Sequence, residues 1–175
     1  MYGVMNKDNK MRDIRIEKVT LNVGVGKAGA ELDKIENLLK SIAGAQPFKT
    51  TSKRRIPEWG VRPGLEIGTA VTLRGKAAEE ILGRLLEGID KKLSKSKFDE
   101  GGNFSFGIPE YVHIPGVKYD YTVGIVGLSV AVTLFRPGFS ISRKRVRRTV
   151  GNSHRIKKEE AINFISNKYN LQVSD

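Results

Sequence analysis

The chain has 175 residues, no cysteine, and 31 lysines and arginines against 19 aspartates and glutamates, which gives a formal net charge of +12. This length predicts a single domain, and the absence of cysteine excludes disulfides and thiolate metal sites. No run of residues approaches the roughly 18–20 apolar residues that a membrane span needs, so no membrane partner is expected. Residues 1–11 are polar, lack the apolar segment of a signal peptide, and are predicted to form an N-terminal tail.

The positive charge is concentrated towards the C-terminal end of the chain. No acidic residue occurs between Asp120 and Glu159, and that span carries Arg136, Arg143, Lys144, Arg145, Arg147, Arg148, Arg155, Lys157 and Lys158. A solvent-exposed surface usually mixes charges of both signs, so a long one-signed span indicates a polyanionic partner. We therefore predict a nucleic-acid-binding protein whose arm, from Arg143 to Arg155, becomes ordered on its ligand.

The first predicted element is a strand within Val19–Gly29 that ends in a glycine turn. Side chains alternate across a strand, so Val19, Leu21, Val23 and Val25 fall on one face and Thr20, Asn22 and Gly24 on the other. The same alternation recurs in Ala70–Arg74 and in Ser129–Leu134. These runs predict a sheet with one apolar face for helices and one face of small polar residues. The small face either meets only solvent or lets the backbone of another molecule come close.

The remaining elements follow from periodicity and turn residues. Apolar residues at helical spacing predict helices at Glu31–Ala43, at 77–93 and at Lys157–Tyr169. Further strands are predicted at Gln46–Ser52, with Phe48 as its apolar anchor, and at Leu65–Arg74, Phe104–Ile108 and Gly127–Phe135. This order predicts an α+β fold with a mostly antiparallel sheet and helices packed on one face. The predicted division is a core domain at residues 12–135 and a basic C-terminal extension at 136–175 that ends in a short helix.

A long basic loop is predicted at Lys53–Gly64. It contains two prolines, two glycines and the cations Lys53, Arg54, Arg55 and Arg62. Long loops in compact domains are uncommon and are often functional. The single tryptophan, Trp59, lies at the tip of the loop. Its ring either folds back on the stem of the loop or stacks on a base or ribose.

The spacing of Gly24, Gly26 and Gly29 matches G-x-G-x-x-G between a strand and a helix. This pattern makes a nucleotide-cofactor-binding enzyme the alternative function. The complete fingerprint also needs an acidic residue about 20 residues further on, and Ala43–Pro57 contains none. The chain after Leu93 also supplies no further strand–helix units for a doubly wound sheet. The same helix N-terminus could receive an RNA phosphate instead.

No catalytic or metal-binding constellation is found. The only histidines, His113 and His154, are far apart in sequence and lack a paired nucleophile. Most of the carboxylates lie on predicted helix surfaces, and nothing has the spacing of metal ligands. We therefore expect no catalytic residue, no metal, no cofactor and no small-molecule substrate.

Five separated segments, in their order and spacing, resemble one known family: IEKVTLNVGVG, GAQPFKTTSKR, RPGLEIGTAVTLRG, FDEGGNFSFGIPEY and IVGLSVAV. Over roughly residues 12–135 the chain resembles the large-subunit ribosomal protein L-five, whose family binds 5S rRNA. Downstream, FRPGFSI and HRIKKEEAINFISNKY resemble the tail of the archaeal and eukaryotic form. The resemblance implies a structural constituent of the cytoplasmic ribosome that contacts 5S rRNA, 23S rRNA and neighbouring proteins in the central protuberance. It also implies contact with P-site tRNA through the loop 53–64.

The resemblance also implies roles for individual residues. Family members contact 5S rRNA through the Asn of LN-x-G-x-G, the Gln of GQ-x-P and the Thr of VTLRG, which match Asn22, Gln46 and Thr72. The chain has GAQP where the family has GQKP, so the match at Gln46 is shifted by one residue. Alternation alone places Asn22 and Thr72 on the small polar face, whereas Gln46 shares the parity of Phe48.

Cations complete the predicted interface. Phosphate contacts with rRNA are expected from Lys49, Arg74, Arg143, Lys144, Arg145, Arg147, Arg148 and Arg155. The tRNA contacts are expected from Lys53, Arg54, Arg55, Trp59 and Arg62, a region that departs from the bacterial pattern of the family. A general DNA-binding protein remains the second alternative, which competition between folded 5S rRNA and duplex DNA distinguishes.

Overall fold

The computed structural model describes residues 9–26, 29–146 and 148–174. The helices and strands are β1 (Arg15–Gly24), α1 (Ala30–Ala43), β2 (Phe48–Thr51), β3 (Glu66–Leu73), α2 (Lys76–Glu87), β4 (Lys92–Ser94), β5 (Phe104–Ile108), β6 (Leu128–Phe135), α3 (Lys158–Tyr169) and β7 (Gln172–Ser174). Most of the predicted tail, two residues of the glycine turn, and Arg147 lie outside the described residues.

Five strands form one sheet in the order β2-β3-β1-β6-β5, and every neighbouring pair is antiparallel. The helix α1 packs against β3, and α2 packs against β1. This arrangement confirms the predicted α+β fold with a mostly antiparallel sheet and helices on one face. A second, two-stranded sheet pairs β4 with β7 in parallel and was not predicted.

The central strand is β1, which pairs with β3 on one edge and with β6 on the other. Val19, Leu21 and Val23 are buried beneath the helices, as the alternation predicts. A bulge between Ile16 and Lys18 shifts the register by one residue, so Ile16 turns to the buried side as well. The intervening residues of β1 are left on the opposite face of the sheet, which is called the open face below.

The helices begin and end at residues that the sequence explains in part. The amphipathic helix α1 ends at Gly44, whose φ of 65° is a left-handed conformation that glycine adopts without steric cost. The predicted second helix, 77–93, is too long, because α2 ends at Glu87. Asp90 and Lys91 both have φ of 55°, and this left-handed turn reverses the chain and directs Leu93 into β4.

The C-terminal extension contributes to the same hydrophobic core as the sheet. Ile156, Ala161, Ile165 and Leu171 belong to the core cluster that contains the buried residues of β1 and β6. Gly102 makes room for this contact, since a Cβ there would lie 2.5 Å from the Ile156 Cγ2 atom. The part of the extension that follows the exposed arm is therefore packed against the core.

A buried arginine fastens this extension to the rest of the chain. The Arg136 guanidinium donates to the carbonyl oxygens of Arg12 (2.9 Å), His154 (3.4 Å) and Arg155 (3.3 Å). Its Nη2 atom also lies 3.0 Å from Glu160 Oε1. Only 4% of Arg136 is exposed. The sequence analysis grouped Arg136 with the other cations of the basic span, but the Arg136 side chain is buried and bonds groups inside the protein.

Candidate nucleic-acid interface

The open face of the sheet is lined by small, uncharged side chains. Paired residues of neighbouring antiparallel strands share a face. The register thus gives two adjacent rows across the sheet, Phe48–Ala70–Asn22–Ser129–Gly107 and Thr72–Thr20–Ala131–Ser105. A shallow cavity of about 360 Å³ covers β1, β6 and β5 on this face and is lined by Thr20, Asn22, Lys97, Ser105, Phe106, Gly107, Ser129, Val130 and Ala131. None of the exposed large apolar side chains among the described residues belongs to these three strands.

Asn22 and Thr72 lie on this face, as the alternation predicts. Both are exposed, and the Thr72 hydroxyl lies 3.5 Å from the hydroxyl of Thr20 on the neighbouring strand. Their amide and hydroxyl groups can both donate and accept hydrogen bonds. At the row beyond them, a Cβ on Gly68 would lie 2.8 Å from the Val23 carbonyl oxygen, so the backbone there requires glycine.

The structure does not bring Lys49 to the open face. Lys49 is paired with Thr69, one residue out of phase with the row of Phe48, and its ammonium lies 2.8 Å from Asp33 of α1 and 3.4 Å from Glu66. The hydrogen bond to Asp33, and then that to Glu66, raise the pKa of Lys49 above its ordinary value. Two carboxylates thus already surround this cation on the helix side of β2.

Gln46 lies beside the sheet rather than in it. It is exposed and precedes β2 by two residues, and its Nε2 atom donates to Glu36 Oε1 at 3.1 Å. A ligand on the open face would have to compete with this exposed hydrogen bond to α1. The predicted rRNA contact of Gln46 therefore remains a prediction, at the edge of the surface.

Two of the predicted cations meet at one carboxylate. Arg74, at the end of β3, lies 3.4 Å from Glu17 Oε1, and Arg143 of the arm contacts the same oxygen. Both arginines are more than half exposed, so their outer nitrogens remain accessible. Glu17 therefore connects the sheet with the beginning of the arm and leaves a net positive charge at their junction.

The other arm cations are exposed in short turns. A 3-10 helix at Phe139–Arg143 is followed by Lys144 and Arg145, and Arg148 and Arg155 line a cavity of about 480 Å³ beside Phe139 and Ile156. The prediction for Arg147 lies outside the described residues. Arg143 therefore brings the start of the arm next to Arg74, and the other described arm cations are exposed further along the chain.

The loop 53–64 is a hairpin rather than an irregular excursion. Ile56 and Val61 pair through two hydrogen bonds of 2.9 and 3.0 Å, and a 3-10 helix at Pro57–Trp59 forms the tip. Trp59 is 71% exposed, so its ring does not fold back on the stem. The four predicted cations Lys53, Arg54, Arg55 and Arg62 are also exposed. The hairpin therefore carries an accessible ring among exposed cations.

The alternative cofactor site lacks the arrangement that it needs. The glycine turn follows a strand whose sheet neighbours are both antiparallel, so it opens no parallel strand–helix–strand unit. Among the described residues no group of three His, Cys, Asp or Glu side chains could hold a metal ion. His154 donates through Nε2 to the Pro137 carbonyl at 2.8 Å and packs edge-on against Phe139, which gives it a structural role.

Within the part of the chain that the structure describes, no helix is long and apolar enough to cross a membrane.

Sequence reasoning missed three features of the open face. Ser105 and Gly107 were not selected, although the alternation with Phe104, Phe106 and Ile108 in β5 could have found them. Lys97 lies at the edge of the cavity, and a single lysine in a charged connector carries no pattern that predicts this. Phe48 was predicted to be the apolar anchor of the second strand, but it is 54% exposed.

A sheet with one helix-covered face, one small polar face and a basic extension is typical of a protein that binds structured RNA. Comparison with known proteins agrees: residues 9–62 match the model of "Ribosomal protein L5", and residues 66–165 match the model of the C-terminus of the same ribosomal family. The large ribosomal subunit protein uL5 of Nanoarchaeum equitans is 49% identical over 168 residues, 95% of this chain and 99% of the relative. The uL5 proteins of Sulfurisphaera tokodaii and Methanoregula boonei are 48% and 41% identical, over 94% and 93% of this chain and 94% and 99% of the relatives.

The chain therefore belongs to the L5 family of ribosomal proteins. Proteins of this family are rRNA-binding structural components of the large ribosomal subunit and act in translation. They are not enzymes, which excludes the cofactor-dependent alternative.

Proposed function

We propose that this protein binds 5S rRNA through the open face of its sheet and 23S rRNA through its C-terminal arm, in the central protuberance of the large subunit of the cytoplasmic ribosome. The observation that supports this most directly is an open face of small, uncharged polar groups in a chain of net charge +12. Charge attracts any nucleic acid, whereas uncharged donors and acceptors can tell one RNA from another. Asn22 and Thr72 are the residues assigned to that recognition.

The shape of the face suits folded RNA. The wide, shallow minor groove of an RNA helix displays 2′-hydroxyls and base edges, and unpaired loops expose whole bases. Small side chains on β1, β6 and β5 let such groups reach Asn22, Ser129 and Ser105 directly. Duplex DNA has no 2′-hydroxyl, so a face that recognises RNA should bind DNA poorly. The general DNA-binding alternative predicts instead that DNA and 5S rRNA compete equally.

The arm and the hairpin are assigned to other partners. Arg143 contacts Glu17 of β1, and the exposed Lys144, Arg145 and Arg148 follow it in the arm, where these cations can neutralise phosphates of 23S rRNA. The hairpin 53–64 carries the exposed Trp59 and exposed cations, and we assign it to P-site tRNA. Exposed surfaces between these regions are left for neighbouring ribosomal proteins.

The proposal predicts a specific loss of 5S rRNA affinity when the face is changed without a change of charge. Asn22→Ala and Thr72→Val each leave RNA polar groups without partners in a desolvated interface, which costs about 1–3 kcal/mol or roughly a 5- to 150-fold loss. Binding is measured to 5S rRNA and to an unrelated RNA of equal length at two salt concentrations. The loss is expected with 5S rRNA and much less with the unrelated RNA, and the salt slope is expected to stay unchanged because neither residue releases counterions.

The matched control is Thr122→Val, a surface threonine on the loop before β6 whose hydroxyl bonds Asp120. It is expected to leave both affinities within error. Thermal midpoints of all three variants are recorded, and those of Asn22→Ala and Thr72→Val are expected to barely move, because both residues lie on the face away from the helices. Equal losses on both RNAs, or a collapsed fold, would contradict the assignment of the open face.

For the hairpin we expect that changes affect tRNA and leave 5S rRNA alone. Combining Trp59→Ala with Arg55→Ala removes an exposed ring and one cation, while the Ile56–Val61 backbone pair that closes the hairpin is untouched. Stacking of one base is worth about 1–3 kcal/mol, so P-site tRNA should dissociate roughly 5- to 150-fold faster from ribosomes that carry the variant. A large loss of 5S rRNA affinity, measured on the isolated proteins, would show that the hairpin had been assigned to the wrong partner.

A further inference from the structure

Phe48 is a large apolar side chain on the open face of the sheet, and it lies outside the hydrophobic core. The residue is 54% exposed, and it is neither a member of the hydrophobic core nor one of the partly buried residues that pack against it. We propose that Phe48 stacks on an unpaired base of the bound rRNA. This inference rests on the proposed function, because it adds a residue to the face assigned there to 5S rRNA.

The register places Phe48 in line with the residues assigned to recognition. Phe48 is opposite Ala70 on β3, and Ala70 is opposite Asn22 on β1, so all three lie on one row of the open face. Neighbouring strands are about 4.8 Å apart, which puts the backbones at Phe48 and Asn22 about 10 Å from each other. A single RNA segment on the face can therefore contact both residues.

The side chains of β2 are the reverse of what packing alone predicts. The charged Lys49 faces the helix side, where Asp33 and Glu66 hold it, and the apolar Phe48 faces outward. Burying Phe48 and exposing Lys49 would require a shift of one residue in register, which the pairing with β3 does not show. Since this orientation exposes apolar surface to water, the ring is available to a ligand.

The chemistry of a phenylalanine on a sheet suits a base rather than a phosphate or a ribose hydroxyl. The ring has no donor or acceptor, but aromatic side chains on an open sheet stack on splayed-out bases of single-stranded RNA segments. The neighbouring side chains on the row are Ala70 and Asn22, and these are small enough to leave the ring accessible. The ligand is therefore a nucleotide that is unstacked within the folded 5S rRNA.

The test uses three substitutions at this position. Because base stacking is worth roughly a 5- to 150-fold change in affinity, Phe48→Ala should weaken 5S rRNA binding by that factor. Phe48→Leu, which keeps apolar contact but has no ring, should recover only part of the loss. Phe48→Trp in a Trp59→Phe background carries a single tryptophan, whose emission should be quenched when 5S rRNA is added.

Controls separate this inference from the proposal on which it rests. Tyr121→Ala removes an aromatic ring that is 85% exposed elsewhere and should leave 5S rRNA affinity unchanged. The 5S rRNA affinity of Asn22→Ala is measured in the same experiment. If Asn22→Ala loses affinity while Phe48→Ala binds like the wild type, the stacking role is overturned and the proposed function stands. Full affinity for Phe48→Leu, unquenched emission from Phe48→Trp, or a protein dimer that Phe48→Ala abolishes would each overturn it too. If neither Asn22→Ala nor Phe48→Ala matters, the open face itself is not the 5S rRNA surface.

Discussion

Replacing Arg136 with alanine is expected to lower the free energy of unfolding by about 3 kcal/mol, because it leaves buried carbonyl oxygens without their donor. In this protein the change removes the donor from the carbonyl oxygens of Arg12, His154 and Arg155, and the Glu160 carboxylate keeps its bond to the Lys157 backbone N–H. In a chain of this size, 1 kcal/mol corresponds to about 2–4 °C, so the midpoint of thermal unfolding should fall by about 6–12 °C. Calorimetry and urea unfolding at neutral pH measure both quantities.

The matched control is Arg15→Ala, which removes an arginine whose side chain is 58% exposed and lies 4.0 Å from Asp13. Exposed pairs of this kind contribute little, so the free energy of unfolding should change by less than about 0.5 kcal/mol. Similar results for the two variants would show that the Arg136 guanidinium does not fasten the extension. A tryptic cut confined to the arm of Arg136→Ala would locate the loss there.

The same junction makes stability depend on pH. Burial alone raises the pKa of the Glu160 carboxyl, but the Lys157 backbone N–H and the Arg136 guanidinium outweigh it and hold the pKa below its ordinary value. A carboxyl with a lowered pKa in the folded state stabilises that state above its unfolded pKa, and this contribution is lost as the pH falls through the folded pKa. Glu160→Gln should therefore flatten the acid side of the stability profile relative to the wild type.

The second large effect is expected for RNA affinity when the arm loses its charge. Replacing Arg143, Lys144, Arg145, Arg147 and Arg148 with alanine removes up to five phosphate contacts, each worth about 0.7–0.9 in the slope of log affinity against log salt. The slope should therefore fall by about 3.5–4.5, which changes the ratio of affinities by roughly 100- to 500-fold over a fourfold range of salt. Titrations with large-subunit rRNA fragments at several salt concentrations measure the slope directly.

The control for the arm loses the same charge at Lys40, Lys76, Lys92, Lys95 and Lys118, which are exposed elsewhere on the molecule. Its slope should fall far less than that of the arm variant, because only cations near phosphates release counterions. The arm variant should stay folded, since Ile156 and Arg136, which anchor the extension, are unchanged. Equal slopes for the wild type and the arm variant would remove the arm from the interface.

The central strands could be predicted from the sequence because each is covered on one face only. In β1, β3 and β6 the alternation of apolar and small polar residues is long enough to assign both the strand and its buried face. Asn22 and Thr72 were placed on the open face by that argument alone. The ends of α1 followed from its periodicity and from Gly44.

The sequence was misleading where a long-range contact overrides the local pattern. In β2, four residues are too few for alternation to assign a face, and the distant carboxylate of Asp33 draws Lys49 to the helix side. Leu93 continued the helical spacing of α2 but pairs with β7, a strand from the other end of the chain. Arg136 looked like its neighbouring cations because nothing in its local sequence reveals that three carbonyl groups surround it.

The position of β1 at the centre of the sheet has a consequence for the synthesis of the protein. One edge of β1 pairs with β3. The partner of the other edge, β6, follows β1 by about a hundred residues, and Arg136, which bonds the Arg12 carbonyl, comes directly after β6. At a synthesis rate of about 5–20 residues per second, that edge waits some 5–20 seconds for its partner. During this interval the nascent chain carries an unpaired edge that can pair with other chains. The open face is completed only when β6 joins the sheet, so a chain that ends before β6 lacks both Ser129 and the cations of the arm.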